Sequence, residues 1–258
     1  MYSSFNDYNI LKKEFRKKFQ TILHANINFR EFIYEIFFYG TAYIIGGFLR
    51  DIILKKESRD LDMIIGLSQE KTIEILKSSK LNHQINRLNG FKISLIDFEV
   101  DIWCIENNWA FKENLVVMND DNIIESISNC CFYNYDSLVI NVHSENLNIK
   151  HFKSFIETKT LDIIQKNTNY KNLNPTIEAN ILRAFYLKKL YNISFTANCN
   201  NYILSRVGFL NDSFSSAITR LVEYKKKYKK YDEILNEVSI YEYIKDCQNM
   251  SKQIQIEI

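Results

Sequence analysis

The segment IIGGFLRDIILKKESRDLDMII, residues 44–65, constrains the fold of this chain more than any other. Only six glycines occur in 258 residues, and two of them, Gly46 and Gly47, stand together directly after an apolar, β-branched run. A short run of that kind closed by glycine reads as a buried strand ending in a tight bend. FLRDIIL (48–54) then has the spacing of a helix, and LDMII (61–65) reads as a second strand ended by Gly66. Asp60 and Asp62 fall at i and i+2 on that strand, so they point to the same face.

Two carboxylates held side by side repel, and each resists ionising alone. A divalent cation removes the conflict, and carboxylate oxygens suit Mg²⁺, which takes one or two of them together with substrate phosphates. FEVDIW (98–103) repeats the i, i+2 spacing with Glu99 and Asp101 on what reads as the second arm of a hairpin turning near Asp97. If that arm lies beside the first strand, Asp101 meets Asp60 and Asp62, and three clustered carboxylates can hold two metal ions. The glycines, lacking Cβ, let a phosphate approach the backbone closely, ahead of a helix N-terminus that favours anions. A phosphate cradle followed by metal ligands is the chemistry of phosphoryl or nucleotidyl transfer, with an NTP, Mg²⁺ and an acceptor hydroxyl.

The rest of the chain is read more coarsely. Residues 5–38 have helical periodicity, Ser68 is placed to cap a helix through QEKTIEILKSS, and DSLVINV (136–142) reads as a further strand. From about residue 153 the period is helical, and NTNYKNLNP (167–175), with the single proline of the chain, reads as a loop. The expected organisation is α+β: a domain over 1–150 with N-terminal helices and a small mixed sheet, followed by an all-helical region over 151–258.

Net charge is only +2, which argues against a uniformly polyanion-binding surface, but LKKEFRKKF (11–19) and YKKKYKK (224–230) are local basic patches with interleaved aromatics. They are read as solvated helix faces or as phosphate-backbone contacts. Cys104, Cys130, Cys131, Cys199 and Cys247 form no C-x-x-C pair and complete no zinc pattern with the four histidines, so they are expected to be free thiols. No stretch approaches the ~18–20 apolar residues of a membrane span, and the N-terminus lacks a signal-peptide core. A cytoplasmic location with no membrane partner is expected.

The composite motif formed by Gly46, Gly47, Arg50, Asp51 and Leu54, followed by Asp60 and Asp62, resembles the head domain of the class II tRNA nucleotidyltransferase and bacterial poly(A) polymerase family. The resemblance implies a nucleotidyltransferase palm with helices on one side of the sheet. It implies two metals held by Asp60, Asp62 and a third acid from a neighbouring strand, which Asp101 resembles, with Glu99 as the fallback. Arg50 and Asp51 would contact the nucleotide or pair with each other at the helix start. IIESISNCCFY (123–133) resembles the second motif of the family at Asn129 and Tyr133, with Ile123 and Ile124 at its two arginine positions. Lys92 or Arg87 are the basic residues that could substitute for them. TIEANILRAFYLKKLYNISF (176–195) echoes a later motif at Arg183 and Ala184, while its base-selecting positions fall on Thr176, Ile177 and Asn180. By this resemblance Asn129 and Arg183 join Gly46 and Gly47 as nucleotide-binding candidates. The implied activity is metal-dependent transfer of a nucleoside monophosphate from an NTP to an RNA 3′ end, tRNA or similar. Because little chain follows the later motif, a full tRNA clamp is expected to be absent or to be supplied by a partner protein. The competing expectations are a nucleotide- or RNA-binding protein without catalysis, and a toxin- or defence-type nucleotidyltransferase acting on tRNA or protein.

Overall fold

The computed structural model describes residues 8–165 and 176–256. The chain forms two compact units, Met1–Glu157 and Thr158–Ile258. The loop expected at 167–175 lies outside the described residues.

The first unit opens with two helices, α1 (Tyr8–Ala25) and α2 (Ile27–Tyr39). Leu11, Phe15, Phe19 and Leu23 recur every fourth residue on α1 and are all buried. Phe29, Phe32, Ile33 and Ile36, at i, i+3, i+4 and i+7, form the buried stripe of α2. The break falls at Asn26, whose side chain leaves the helical ladder. Its Nδ2 donates to the Ile22 carbonyl at 2.9 Å and its Oδ1 accepts from the Ile96 amide at 2.9 Å.

A seven-stranded sheet follows, in the order β3-β4-β5-β2-β1-β6-β7. Its strands are β1 (Ala42–Ile45), β2 (Asp60–Ile65), β3 (His83–Ile85), β4 (Phe91–Leu95), β5 (Phe98–Cys104), β6 (Val139–Asn141) and β7 (Leu147–Asn148). The sheet is mixed: β2 and β5 run parallel at its centre, and every other neighbouring pair is antiparallel. The β4–β5 hairpin turns at Asp97, which takes φ +58° as a short polar residue can. Helices α3 (Gly47–Ile53), α4 (Gln69–Ser78), α5 (Trp109–Lys112), α6 (Ile123–Asn129) and α7 (Lys150–Thr158) complete the unit. Ser68 caps α4 by accepting from the Lys71 amide at 3.2 Å.

Alternation divides the sheet into two faces. Ile44, Leu61, Met63, Ile65, Phe91, Ile93, Val100, Ile102 and Cys104 point one way and are fully buried. Phe48 of α3 joins this core, edge-on to both Phe15 and Phe98 at 6.3 and 6.0 Å between ring centres. Burying each such ring contributes up to ~3 kcal/mol relative to exposure. The opposite face has two ends. Tyr43, Ile64 and Val139 pack under Ile127 of α6, with Ile45, Trp103, Ile123 and Ile124 partly buried against them. The other end is charged, and it carries the candidate site. Helices therefore lie on both faces of the sheet, because α6 covers the apolar end of the second face.

The second unit contains α8 (Ile177–Tyr191), α9 (Ala197–Ser213), α10 (Ala217–Lys225), α11 (Lys229–Asp232) and α12 (Glu237–Ile256). Thr176, Thr196 and Ser216 cap α8, α9 and α10 through their hydroxyls. The unit is not purely helical as expected. Two short strands, β8 (Thr160–Leu161) and β9 (Ser194–Phe195), pair in parallel. Two residues are too few for alternation to appear in sequence. Glu178, at the start of α8, is buried and accepts from Arg220 Nε at 2.8 Å and Nη2 at 2.7 Å.

Candidate active site

The site is assembled by strand register. In the parallel β2–β5 pair, Asp60 lies opposite Glu99 and Asp62 opposite Asp101. Side chains at partnered positions share a face, so all four carboxylates stand on the face opposite the main core. Asp60 and Glu99 are exposed, and Asp62 and Asp101 are half-buried. At the ~4.8 Å spacing of neighbouring strands, two unit charges repel by roughly 3 kcal/mol at an effective dielectric near 20. The arrangement therefore works against folding unless positive charge is supplied.

One cation stands within the sheet. Lys92 on β4 lies opposite Asp101, and its Nζ is 2.6 Å from Glu99 Oε2. The hydrogen bond to Glu99 raises Lys92 above the usual lysine range, and the charges of Asp101 and Asp60 raise it further. Burial pushes the Asp101 carboxyl above the usual carboxylate range, with the Lys92 charge opposing and Glu99 and Asp60 adding to the shift. A carboxyl raised by its surroundings on a half-buried face is a recurring property of proton-transfer groups.

The expected convergence of Asp60, Asp62 and Asp101 is met in face and register. It is not met as a closed ligand cage. Among the described residues, no three His, Cys, Asp or Glu side chains gather closely enough to hold a metal ion. Glu99 is turned to Lys92. The donor chemistry still fits Mg²⁺, which needs only one or two protein carboxylates when substrate phosphates supply the remaining oxygens.

The glycine bend differs from the expected two-amide cradle. Gly46 takes φ +65°, a conformation L residues rarely adopt, and its amide is spent on the Leu138 carbonyl at 2.9 Å. Gly47 is the residue that faces the carboxylates: a Cβ there would sit 4.0 Å from Asp60 Oδ1 and 3.7 Å from Arg50 Nη2. Arg50 is not paired with Asp51. Its Nη1 donates to Asp136 Oδ1 at 3.0 Å, and its guanidinium lies 4.2 Å from the centre of the Tyr135 ring. Asp51 instead accepts from the Ser58 hydroxyl at 3.1 Å. These contacts tie α3 to the turn at 134–136 and the loop entering β2, so they hold the bend in shape. Asp136 and Tyr135 could not be found from sequence, because the partnership with Arg50 spans 86 positions.

Asn129 ends α6, and its Oδ1 lies 2.8 Å from His151 Nε2. Tyr133 is fully buried and belongs to the core. Ile123 and Ile124 pack on the apolar end of the site face. Arg87 is exposed in the turn between β3 and β4, beyond the sheet register, whereas Lys92 is within it. Arg183 is half-buried on α8 of the second unit. Of the basic patches, Arg16 of α1 pairs with Glu145, and Lys225 with Asp232 on α11. The five cysteines are free thiols, as expected. Among the described residues no helix is long and apolar enough to cross a membrane.

Residues 42–109 match the family model of the poly A polymerase head domain. The match holds the glycine bend, both aspartates of β2, and Glu99 and Asp101, and it stops before Ile123. No curated protein matches in sequence. Among solved structures, a Thermotoga maritima CCA-adding enzyme complexed with tRNA superposes with a TM-score of 0.58 at 13% identity, over 84% of this chain and 48% of its own. A CCA-adding enzyme with ATP gives 0.60 at 12% identity, over 90% and 52%. A tRNA nucleotidyltransferase complexed with a primer tRNA and an incoming ATP analog gives 0.56 at 14% identity, over 83% and 59%. The chain thus spans roughly half the length of the solved structures it matches. The head-domain resemblance read from the glycine–aspartate motif therefore holds, in the family model over 42–109 and in the fold.

Proposed function

We propose that this protein transfers a nucleoside monophosphate from an NTP to an acceptor hydroxyl, most simply an RNA 3′ end of tRNA type, and releases pyrophosphate. The observation that carries the proposal is the set of four carboxylates aligned on one face of the β2–β5 pair, beside Gly47, inside the segment that matches the head-domain family. The tRNA-bound and ATP-bound neighbours support the choice of RNA and NTP as substrates.

Asp60, Asp62 and Asp101 would hold Mg²⁺, with Glu99 available once it leaves Lys92. Bound there, Mg²⁺ would neutralise phosphate charge and polarise the reacting oxygens. Gly47 leaves room beside Asp60 for a phosphate to approach. Asp101, its carboxyl raised by burial, would take the proton of the acceptor hydroxyl. Arg50, Asp51 and Gly46 act by keeping the bend rigid, because positioning to well under an ångström governs in-line transfer.

Incubation with each of the four NTPs, labelled at the α-phosphate, plus Mg²⁺ and total RNA tests the proposal. Label should enter RNA with the wild type and not with Asp60→Ala/Asp62→Ala, while both proteins melt cooperatively. A wild type that binds NTP yet transfers no label from any nucleotide would leave only a binding function.

A further inference from the structure

Lys92 is the only lysine or arginine among the strands of the seven-stranded sheet, within the described residues. Its position is fixed from two sides. Register sets it in one row with Gln84, Asp101, Asp62 and Ile45 across five strands. Two residues before it, Gly90 brings the turn onto Trp103, where an added Cβ would lie 2.7 Å from the indole ring. The β3–β4 turn is thus seated on the site face, and Lys92 is carried to its edge.

Other nearby cations are engaged or out of phase. Arg50 is held by Asp136 and Tyr135. Arg59 precedes β2 by one residue, out of phase with the row of Asp60 and Asp62. The far end of the face is closed by Ile45, Ile123, Ile124 and Trp103. A triphosphate brought to four carboxylates needs positive charge beyond a metal, and among the described residues Lys92 is the one strand cation in their row.

We infer that Lys92 is a substrate-contacting residue whose ammonium leaves Glu99 for the phosphates of the bound NTP. This rests on the reading above that an NTP binds at the carboxylate face. The exchange is inexpensive. The two side chains of the ion pair are 41% and 52% exposed, and exposed pairs of this kind contribute little. The four-carbon stem of lysine lets the charge swing without moving β4. Release of Glu99 also frees a fourth carboxylate at the moment the substrate arrives.

The test is calorimetric titration of the full chain with Ca²⁺ and each of the four NTPs, and separately with Mg²⁺ and inorganic pyrophosphate. Wild type, Lys92→Gln, Lys92→Arg and Arg87→Gln are compared after their melting curves are matched. Lys92→Gln should weaken the preferred NTP and pyrophosphate about tenfold or more, the effect of losing one charged hydrogen bond. Lys92→Arg should stay within a few-fold of wild type, and Arg87→Gln should be unchanged. Wild-type binding of NTP with no change in Lys92→Gln overturns the inference and leaves the reading of the site intact. Tighter binding by Lys92→Gln also overturns it, because Lys92 would then be blocking the carboxylates. Failure of the wild type to bind any NTP or pyrophosphate removes both this inference and the reading beneath it.

Discussion

Arg50 belongs to the signature that marks this family resemblance, yet its contacts are architectural, and Arg50→Met measures what they are worth. The side chains of Arg50 and Asp136 are 14% and 21% exposed and meet at 3.0 Å. Breaking a fully buried ion pair from one side costs ~3–5 kcal/mol, and an exposed pair contributes ~0–1 kcal/mol. A pair with this burial falls between, at about 2 kcal/mol. Loss of the stacked Tyr135 ring adds about 1 kcal/mol. Methionine keeps most of the aliphatic contact, so packing loss is small. The sum, about 3 kcal/mol, corresponds to a fall of roughly 6–12 °C in melting temperature for a unit of this size. Urea unfolding followed by tryptophan fluorescence isolates the effect, because both tryptophans, Trp103 and Trp109, lie in the first unit. Asp136→Asn and the double variant complete a cycle with an expected coupling of about 1–2 kcal/mol. Arg50→Met within ~0.5 kcal/mol of wild type, or a coupling near zero, would show that Arg50 is not committed to the bend, and the reasoning would fail.

Gly46→Ala should cost about 1–2 kcal/mol in the same assay, because φ +65° is forced on a residue with Cβ. Gly47→Ala meets only ordinary contacts, so it should leave stability unchanged while weakening NTP affinity through the space lost beside Asp60. Glu178→Ala removes the buried acceptor of Arg220 and should destabilise the second unit by about 2–4 kcal/mol, read by circular dichroism. Asp101→Asn should raise the melting temperature at neutral pH. The folded-state carboxyl is raised, so its ionisation opposes folding above the unfolded value, and the gain should shrink as pH falls through the folded value.

The strands that hold the carboxylates were legible because alternation and glycine punctuation are local. Ala42–Ile45, Asp60–Ile65 and the hairpin at Asp97 fall where period and turn chemistry put them. The i, i+2 spacing put Asp60 with Asp62, and Glu99 with Asp101, on one face of each strand, but bringing the two pairs to one shared face required the parallel β2–β5 pairing, which is a tertiary fact. The partners of Gly46 and Arg50 were not legible for one reason. Both act through residues 136–138, which no local pattern connects to the bend. The pairs β3, β7 and β8–β9 are two or three residues long and carry no readable period. Glu99 shows the limit most clearly: its spacing matched that of a ligand, and its contact in the folded chain is with Lys92.

The central claim is that the carboxylate face transfers a nucleoside monophosphate, and label position tests it most directly. A single NTP is supplied in two forms, labelled at the α- or the γ-phosphate, with Mg²⁺ and RNA. The account predicts α-label in the RNA product, γ-label in released pyrophosphate, and neither when Asp60 and Asp62 are both alanine. Transfer of γ-label to any acceptor, or α-label transfer that survives the double substitution, would contradict it.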